Sequence, residues 1–179
     1  MDVFEAIKNR RSVRAYQDRP IPEHITHTLL SAIRYAPSGC NLQPWHFVLV
    51  KDTQLRQKLA EACAKQMWIA QAPLIIAACG FPKRAYQKIG GSRNCAEIDV
   101  TIALDHLSLA AVEQGLGSCW IGAFDEQQVK SLLAVPDDAQ VVALMTIGYP
   151  ASTDLNHPVS EANRKSPAKV FSTDRYDGN

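Results

Sequence analysis

Ile98 to Gln114 is apolar on nearly every face of a helix, and this constrains the fold more than any other stretch. A helix without a polar side has to be covered all round by other elements. Two further runs, Pro73 to Cys79 and Val141 to Gly148, are apolar at consecutive positions and read as strands buried on both faces. A buried helix and buried strands in one chain require a layered core. The chain has 179 residues, 46% of them hydrophobic, which suffices for one such core and is short for two independent domains.

The remaining segments alternate between helix and strand signals. Val3, Phe4 and Ile7 mark a short amphipathic helix, and Pro22 opens another with Ile25, Leu29 and Ile33 as its stripe. Pro37-Ser38-Gly39 breaks the chain before the β-rich run Trp45 to Val50. Asp52 caps a helix whose Leu55, Leu59, Ala62 and Cys63 face inward. Residues 80 to 95 read as a loop, Gly115 and Gly117 stop the long helix, and Ser118 to Ala123 is a short strand or turn. Asp125 with Gln128 suggests a capping box for a helix over Glu126 to Leu133. Residues 151 to 169 read as loop, and Val170 to Tyr176 is a polar tail able to join a sheet edge, its own or a partner's. Interleaved helices and strands give one α/β or α+β domain over residues 1–179.

A formal net charge of +1 gives no basic field for nucleic acid or a membrane surface. No stretch is long and apolar enough to span a bilayer, and the N-terminus lacks the order of a secretory signal. Five widely spaced cysteines without a CxxC fit reduced thiols, and hence a cytoplasmic protein. His24 and His27 share a helix face but find no third ligand for zinc, so no metal site is expected. Asp99, Asp105, His106 and Glu113 interrupt the apolar helix and read as hydrogen-bonded polar groups of a core or interface.

Against this neutral background Arg10, Arg11, Ser12 and Arg14 form a local knot of guanidiniums and a hydroxyl. Such forks match phosphate oxygens bidentately, although cations at a helix C-terminus give a plainer account. Asn163-Arg164-Lys165-Ser166-Pro167 is a second basic cluster, able to meet the first at one phosphate or to remain ordinary surface. Ala36 to His46 (APSGCNLQPWH) combines turn residues with amide and hydroxyl donors and allows a planar ligand close to the main chain. Gly115 to Phe124 (GLGSCWIGAF) brings glycines round a short apolar run; because they follow a helix, they are not the dinucleotide fingerprint. Cys119 reads as a small buried hydrophobe.

RRSVRAY, APSGCNLQPWHFVLV, GLGSCWIGAF, MTIGYP and NRKSP, in this order and nearly end to end, resemble the nitroreductase family of FMN-dependent oxidoreductases. The resemblance implies an α+β sandwich, a central mainly antiparallel sheet wrapped by helices, built as an intertwined homodimer with FMN at the interface. It implies that Arg10, Arg11, Ser12 and Arg14 hold the phosphate, ribityl chain and pyrimidine edge, with Arg164 and Lys165 completing the phosphate site. Pro37, Ser38, Gly39 and Asn41 would approach the flavin from the other subunit. Trp120, Ile121 and Gly122 would line the ring system, and Gln66 would reach it. The tail Val170 to Tyr176 would form a strand embracing the partner.

The implied chemistry is hydride transfer from NADH or NADPH to the flavin, then electron transfer to a nitroaromatic, quinone or similar acceptor by a ping-pong mechanism, with no catalytic side chain. The chain is short for the family, which implies a more open pocket. The basic loop with Lys83, Arg84, Lys88 and Arg93 would meet the nicotinamide nucleotide's phosphates or stand solvated. Within the same fold, a reductive dehalogenase or a flavin-fragmenting enzyme is the alternative. A non-catalytic flavin-binding dimer is another.

Overall fold

The structure, a computed structural model, describes residues 1–176. Five helices and four strands alternate: α1 (Val3–Asn9), α2 (Glu23–Arg34), β1 (Trp45–Val50), α3 (Thr53–Ala62), β2 (Leu74–Gly80), α4 (Ala96–Glu113), β3 (Gly117–Ile121), α5 (Glu126–Leu133) and β4 (Gln140–Gly148). The strands form one sheet in the order β1-β2-β4-β3, antiparallel throughout. This is the α+β arrangement with helices against both faces.

The apolar runs fall where their patterns require. Every residue of β2 is buried, and the inner face of α4 (Val100, Ala103, Leu104, Leu107, Ala111) packs with Leu29 and Ile33 of α2 over one face of the sheet. The opposite face is closed by Leu59 of α3, Ile69, and Val129 of α5. Local caps act as their chemistry dictates: Asp52 Oδ1 accepts from Leu55 N–H at 2.8 Å, and Asp125 Oδ1 from Gln128 N–H at 3.0 Å. Gln128 does not complete a capping box. Its amide donates to the other Asp125 oxygen at 2.9 Å instead of reaching back to the cap's backbone.

Two further expectations need correcting. Gly115 alone ends α4, at φ +72°, whereas Gly117 already belongs to β3. Ile98 is 47% exposed, so α4 presents an apolar side chain outward near its start. Val170 to Tyr176 stand exposed after a 3-10 turn at Pro167–Lys169, and a single chain offers no partner for the strand expected there.

Cys63 and Cys79 lie in the second core, and burial pushes both thiols up from 9.0 to about 11. The folded chain therefore keeps protons that the unfolded chain releases, and the stability this represents is complete below pH 9 and declines as the pH rises toward 11. The rise from 9.0 to about 11 sets a ceiling of about 2.7 kcal/mol per thiol, which solvent screening reduces. Urea midpoints measured from pH 8 to pH 11 should fall in the wild type and fall less steeply in a Cys63→Ala/Cys79→Ala variant.

Candidate functional site

The knot of arginines is placed by an edge of the sheet. α1 ends at Arg10, whose N–H closes the last turn on Ala6 O at 2.9 Å. The chain then runs extended beside β3, with a parallel bridge between Ser12 and Ser118 and Val13 N–H donating to Ser118 O at 3.0 Å. Gly117 permits this approach: a Cβ there would stand 2.6 Å from Val13 Cγ2 and 2.8 Å from Val13 Cβ. Gly148 does the same for Tyr16, whose ring a Cβ would meet at 2.9 Å, and for Pro73. The Tyr16 hydroxyl donates to Val13 O at 2.7 Å and meets Thr146 Oγ1 at 2.7 Å, tying the arginine segment to β4. These glycines serve close packing of protein on protein. Gly122, where a Cβ would meet no atom within 4 Å, keeps the open surface that a flat ligand needs.

The C-terminal segment returns to the same place. Asn156 donates to Leu116 O at 3.3 Å, and Val159 N–H to Lys8 O at 3.0 Å. A few residues on, Arg164 comes close enough to act on Arg11. Burial first, then repulsion from Arg10 and from Arg164, holds the Arg11 guanidinium below its ordinary range. Arg11 Nη1 donates to Arg10 O at 2.6 Å, but Nη2 is buried and unpartnered. The Ser118 hydroxyl beside Ser12 is likewise buried and unpartnered. Arg10, Arg14 and the Ser12 hydroxyl also act on Cys119, whose thiol is nevertheless raised because burial outweighs them. Arg14 stands 6.0 Å from the Trp68 ring, an aromatic neighbour the motifs did not single out. Among the described residues the ion pairs are Arg84–Asp138 and His27–Glu23, so no carboxylate neutralises the cluster. Converging cations with a buried free donor and no acid partner suit a multiply charged anion such as a phosphate monoester.

The other predicted residues divide. Trp120 and Ile121 alternate across β3: Trp120 is half-buried, while Ile121 is 3% exposed within the second core. Ile121 can thus line a ligand only through its backbone. The Gln66 side chain is turned back, donating to Cys63 O at 2.9 Å. Lys165 is exposed beside Arg164. In the basic loop, Arg84 is held by Asp138 at 3.0 Å and lies 3.9 Å from the Phe81 ring, leaving Lys83, Lys88 and Arg93 exposed.

Pro37, Ser38, Gly39 and Asn41 lie elsewhere on the chain. They lead into β1, at the opposite sheet edge from β3, three strand spacings or about 14 Å away. No hydrogen bond among the described residues joins this loop to Arg10–Arg14 or Arg164. Within it Cys40, Asn41 and Gln43 are left-handed at φ 52°, 54° and 49°, which non-glycine residues adopt only when held. Gln43 N–H donates to Ser38 Oγ at 3.0 Å, and Gly39 N–H to Asp99 Oδ1 at 3.1 Å. Asp99 is 3% exposed, as a polar core residue; Asp105, read the same way, is exposed.

Comparison with known proteins agrees with this geometry. The family model described as Nitroreductase family matches residues 7–149. A protein of Methanothermobacter thermautotrophicus, provisionally named NADH dehydrogenase/NAD(P)H nitroreductase, is 34% identical over 155 residues, covering 84% of this chain and 78% of its own. The 5,6-dimethylbenzimidazole synthase of Rhodospirillum rubrum is 31% identical over 179 residues, covering 87% and 83%. A nitroreductase family protein of Clostridium difficile superposes with a TM-score of 0.87 at 28% identity, covering 98% of this chain and all of that one. The NADPH:FMN oxidoreductase of Vibrio harveyi, solved with NAD+, superposes with a TM-score of 0.84 at 25% identity, covering 97% and 77%. Two basic segments brought together at a sheet edge, on this fold and with these relatives, show that the chain belongs to the nitroreductase family.

Proposed function

We propose that the chain is an FMN-dependent oxidoreductase that draws electrons from NADH or NADPH and delivers them to a nitroaromatic, quinone or similar acceptor. The observation that carries this is the buried, unpartnered Arg11 Nη2 within a cluster of cations that lacks an acid. Arg10, Arg11, Arg164 and Lys165 would neutralise the FMN phosphate, with Ser12 and Arg14 binding further along the cofactor. Trp120 and the open Gly122 would border the ring system. FMN, when bound, would supply the two-electron redox chemistry between the dinucleotide and the acceptor. The protein's own work is to orient both and to exclude competing reactions, so no nucleophilic side chain is required. The relative solved with NAD+ supports the dinucleotide as donor.

The site is complete only in a homodimer on this reading. Pro37, Ser38, Gly39 and Asn41 stand at the far sheet edge of their own chain and would reach the cofactor held by a second copy. Val3, Phe4 and Ile7 of α1 are 72%, 64% and 51% exposed, an apolar face that a second copy would bury. Five free cysteines, four of them buried, support a reducing, cytoplasmic setting. Among the described residues no helix is long and apolar enough to cross a membrane.

Anaerobic NADH or NADPH should bleach the visible flavin band of FMN-loaded protein, and a quinone or nitroaromatic should restore it. One pocket used in turn by donor and acceptor gives parallel double-reciprocal plots, the mark of a ping-pong mechanism. FMN-loaded protein that neither dinucleotide reduces would contradict the proposal. That outcome would favour the second reading, a specialised flavin enzyme, which the 31% identity to a dimethylbenzimidazole synthase supports.

A further inference from the structure

We infer that Asp99 is a positioning residue for the flavin-facing loop, acting through the Gly39 N–H. This rests on the flavin reading above. Asp99 lies in the first turn of α4 and is 3% exposed. One carboxylate oxygen accepts from Gly39 N–H at 3.1 Å, and the other from the Cys95 thiol at 2.9 Å. No lysine or arginine pairs with it among the described residues. A buried carboxylate without a cation is a costly way to fill space, and an apolar side chain would serve packing better. What Asp99 provides that an apolar residue cannot is a fixed acceptor aimed at a backbone N–H, in the favourable field of a helix N-terminus.

The loop needs that acceptor. Cys40, Asn41 and Gln43 all hold left-handed backbone, and the Ser38 Oγ and Ser38 O bonds that shape the turn come from within the loop itself. Asp99 supplies the side-chain bond that ties the turn to the rest of the fold. The contact is also sterically exclusive: a Cβ on Gly39 would stand 2.8 Å from Cys95 Sγ and 2.9 Å from Tyr86 Cβ. Gly39 is thus pressed against the start of α4, and the carboxylate fixes the height and tilt at which Ser38 and Asn41 are presented outward. Cys95, 1% exposed, serves by occupying the second carboxylate oxygen.

The test compares Asp99→Ala with Asp99→Asn in full-length protein, the asparagine keeping an oxygen that accepts from Gly39. FMN affinity is read by quenching of flavin fluorescence, and amide exchange at Gly39 is read against the amides of β2 and β4. Asp99→Ala should weaken FMN binding tenfold or more, shift the visible band of bound flavin, and speed exchange at Gly39 while β2 and β4 stay protected. Asp99→Asn should recover most of the affinity. Wild-type affinity in Asp99→Ala, equal losses in both variants, or a loss accompanied by general exchange in β2 and β4 would each overturn the inference. Failure of the wild type to bind FMN at all would strike the flavin reading itself, and with it this inference.

Discussion

Replacing Arg11 by alanine should weaken FMN binding by about ten- to a hundredfold and leave the FMN-free protein at least as stable as the wild type. The loss follows from charge-assisted hydrogen bonds, each contributing about 1.5–3 kcal/mol, where about 1.4 kcal/mol is tenfold in Kd. The stability result follows from the same site viewed without its anion. Arg11 is partly buried, it is repelled by Arg10 and Arg164, and its Nη2 has no partner. Removing it relieves repulsion and an unmet donor while losing one bond to Arg10 O. A structural guanidinium would behave in the opposite way, its loss lowering the melting temperature. Calorimetric melts with and without FMN, beside a fluorescence titration, separate the two cases. A destabilised FMN-free Arg11→Ala protein with wild-type FMN affinity would remove Arg11 from the site.

Gly117→Ala should be the most damaging single methyl addition near the site. The backbone there is ordinary, so the cost is steric: the new Cβ would meet three Val13 side-chain atoms at 2.6, 2.8 and 2.9 Å. Val13 is 1% exposed and held on both sides, by the Ser118 O bond and by Tyr16, so neither partner yields without moving backbone. Overpacking of this kind costs about 1–3 kcal/mol, or roughly 2–12 °C in Tm at this chain length. Because the same displacement carries Arg11 and Ser12 away from β3, FMN affinity should fall as well. Val13→Ala in the same molecule removes two of the three clashing atoms and should return part of both losses, a coupling visible in a double-mutant cycle. A Gly117→Ala protein that melts and binds FMN like the wild type would show that the segment is not seated by this contact.

Local chemistry made much of the fold legible. The bounds of β1 and α5, the cap at Asp52 and the buried β2 and α4 follow from periodicity, capping residues and unbroken apolar runs, signals confined to a few neighbouring positions. The failures lie where a residue answers to something distant. Gly117 looks like a cradle for a flat ligand, yet its partner is Val13, about a hundred positions earlier in the chain. The Ile121 side chain, beside Trp120 in the same motif, is sent into the core by strand alternation, so any part it has in the site falls to its backbone. Two arginine-bearing segments as far apart as Arg11 and Arg164 converge only because residues 150–164 are laced back under α1, through Val159 on Lys8 and Asn156 on Leu116. Composition and periodicity do not encode that path; family resemblance pointed to it. Asp99 was visible as a polar residue in an apolar helix, although its partner, a backbone N–H of another loop, was not.

Titration of the purified, flavin-free protein with FMN and, in parallel, with riboflavin tests the phosphate site most directly, because the two ligands differ only in the phosphate group. Converging Arg10, Arg11 and Arg164 predict that FMN binds at least about a hundredfold more tightly than riboflavin, and that Arg11→Ala narrows the gap by tenfold or more. Equal affinities for the two ligands, or a gap that Arg11→Ala leaves intact, would contradict it.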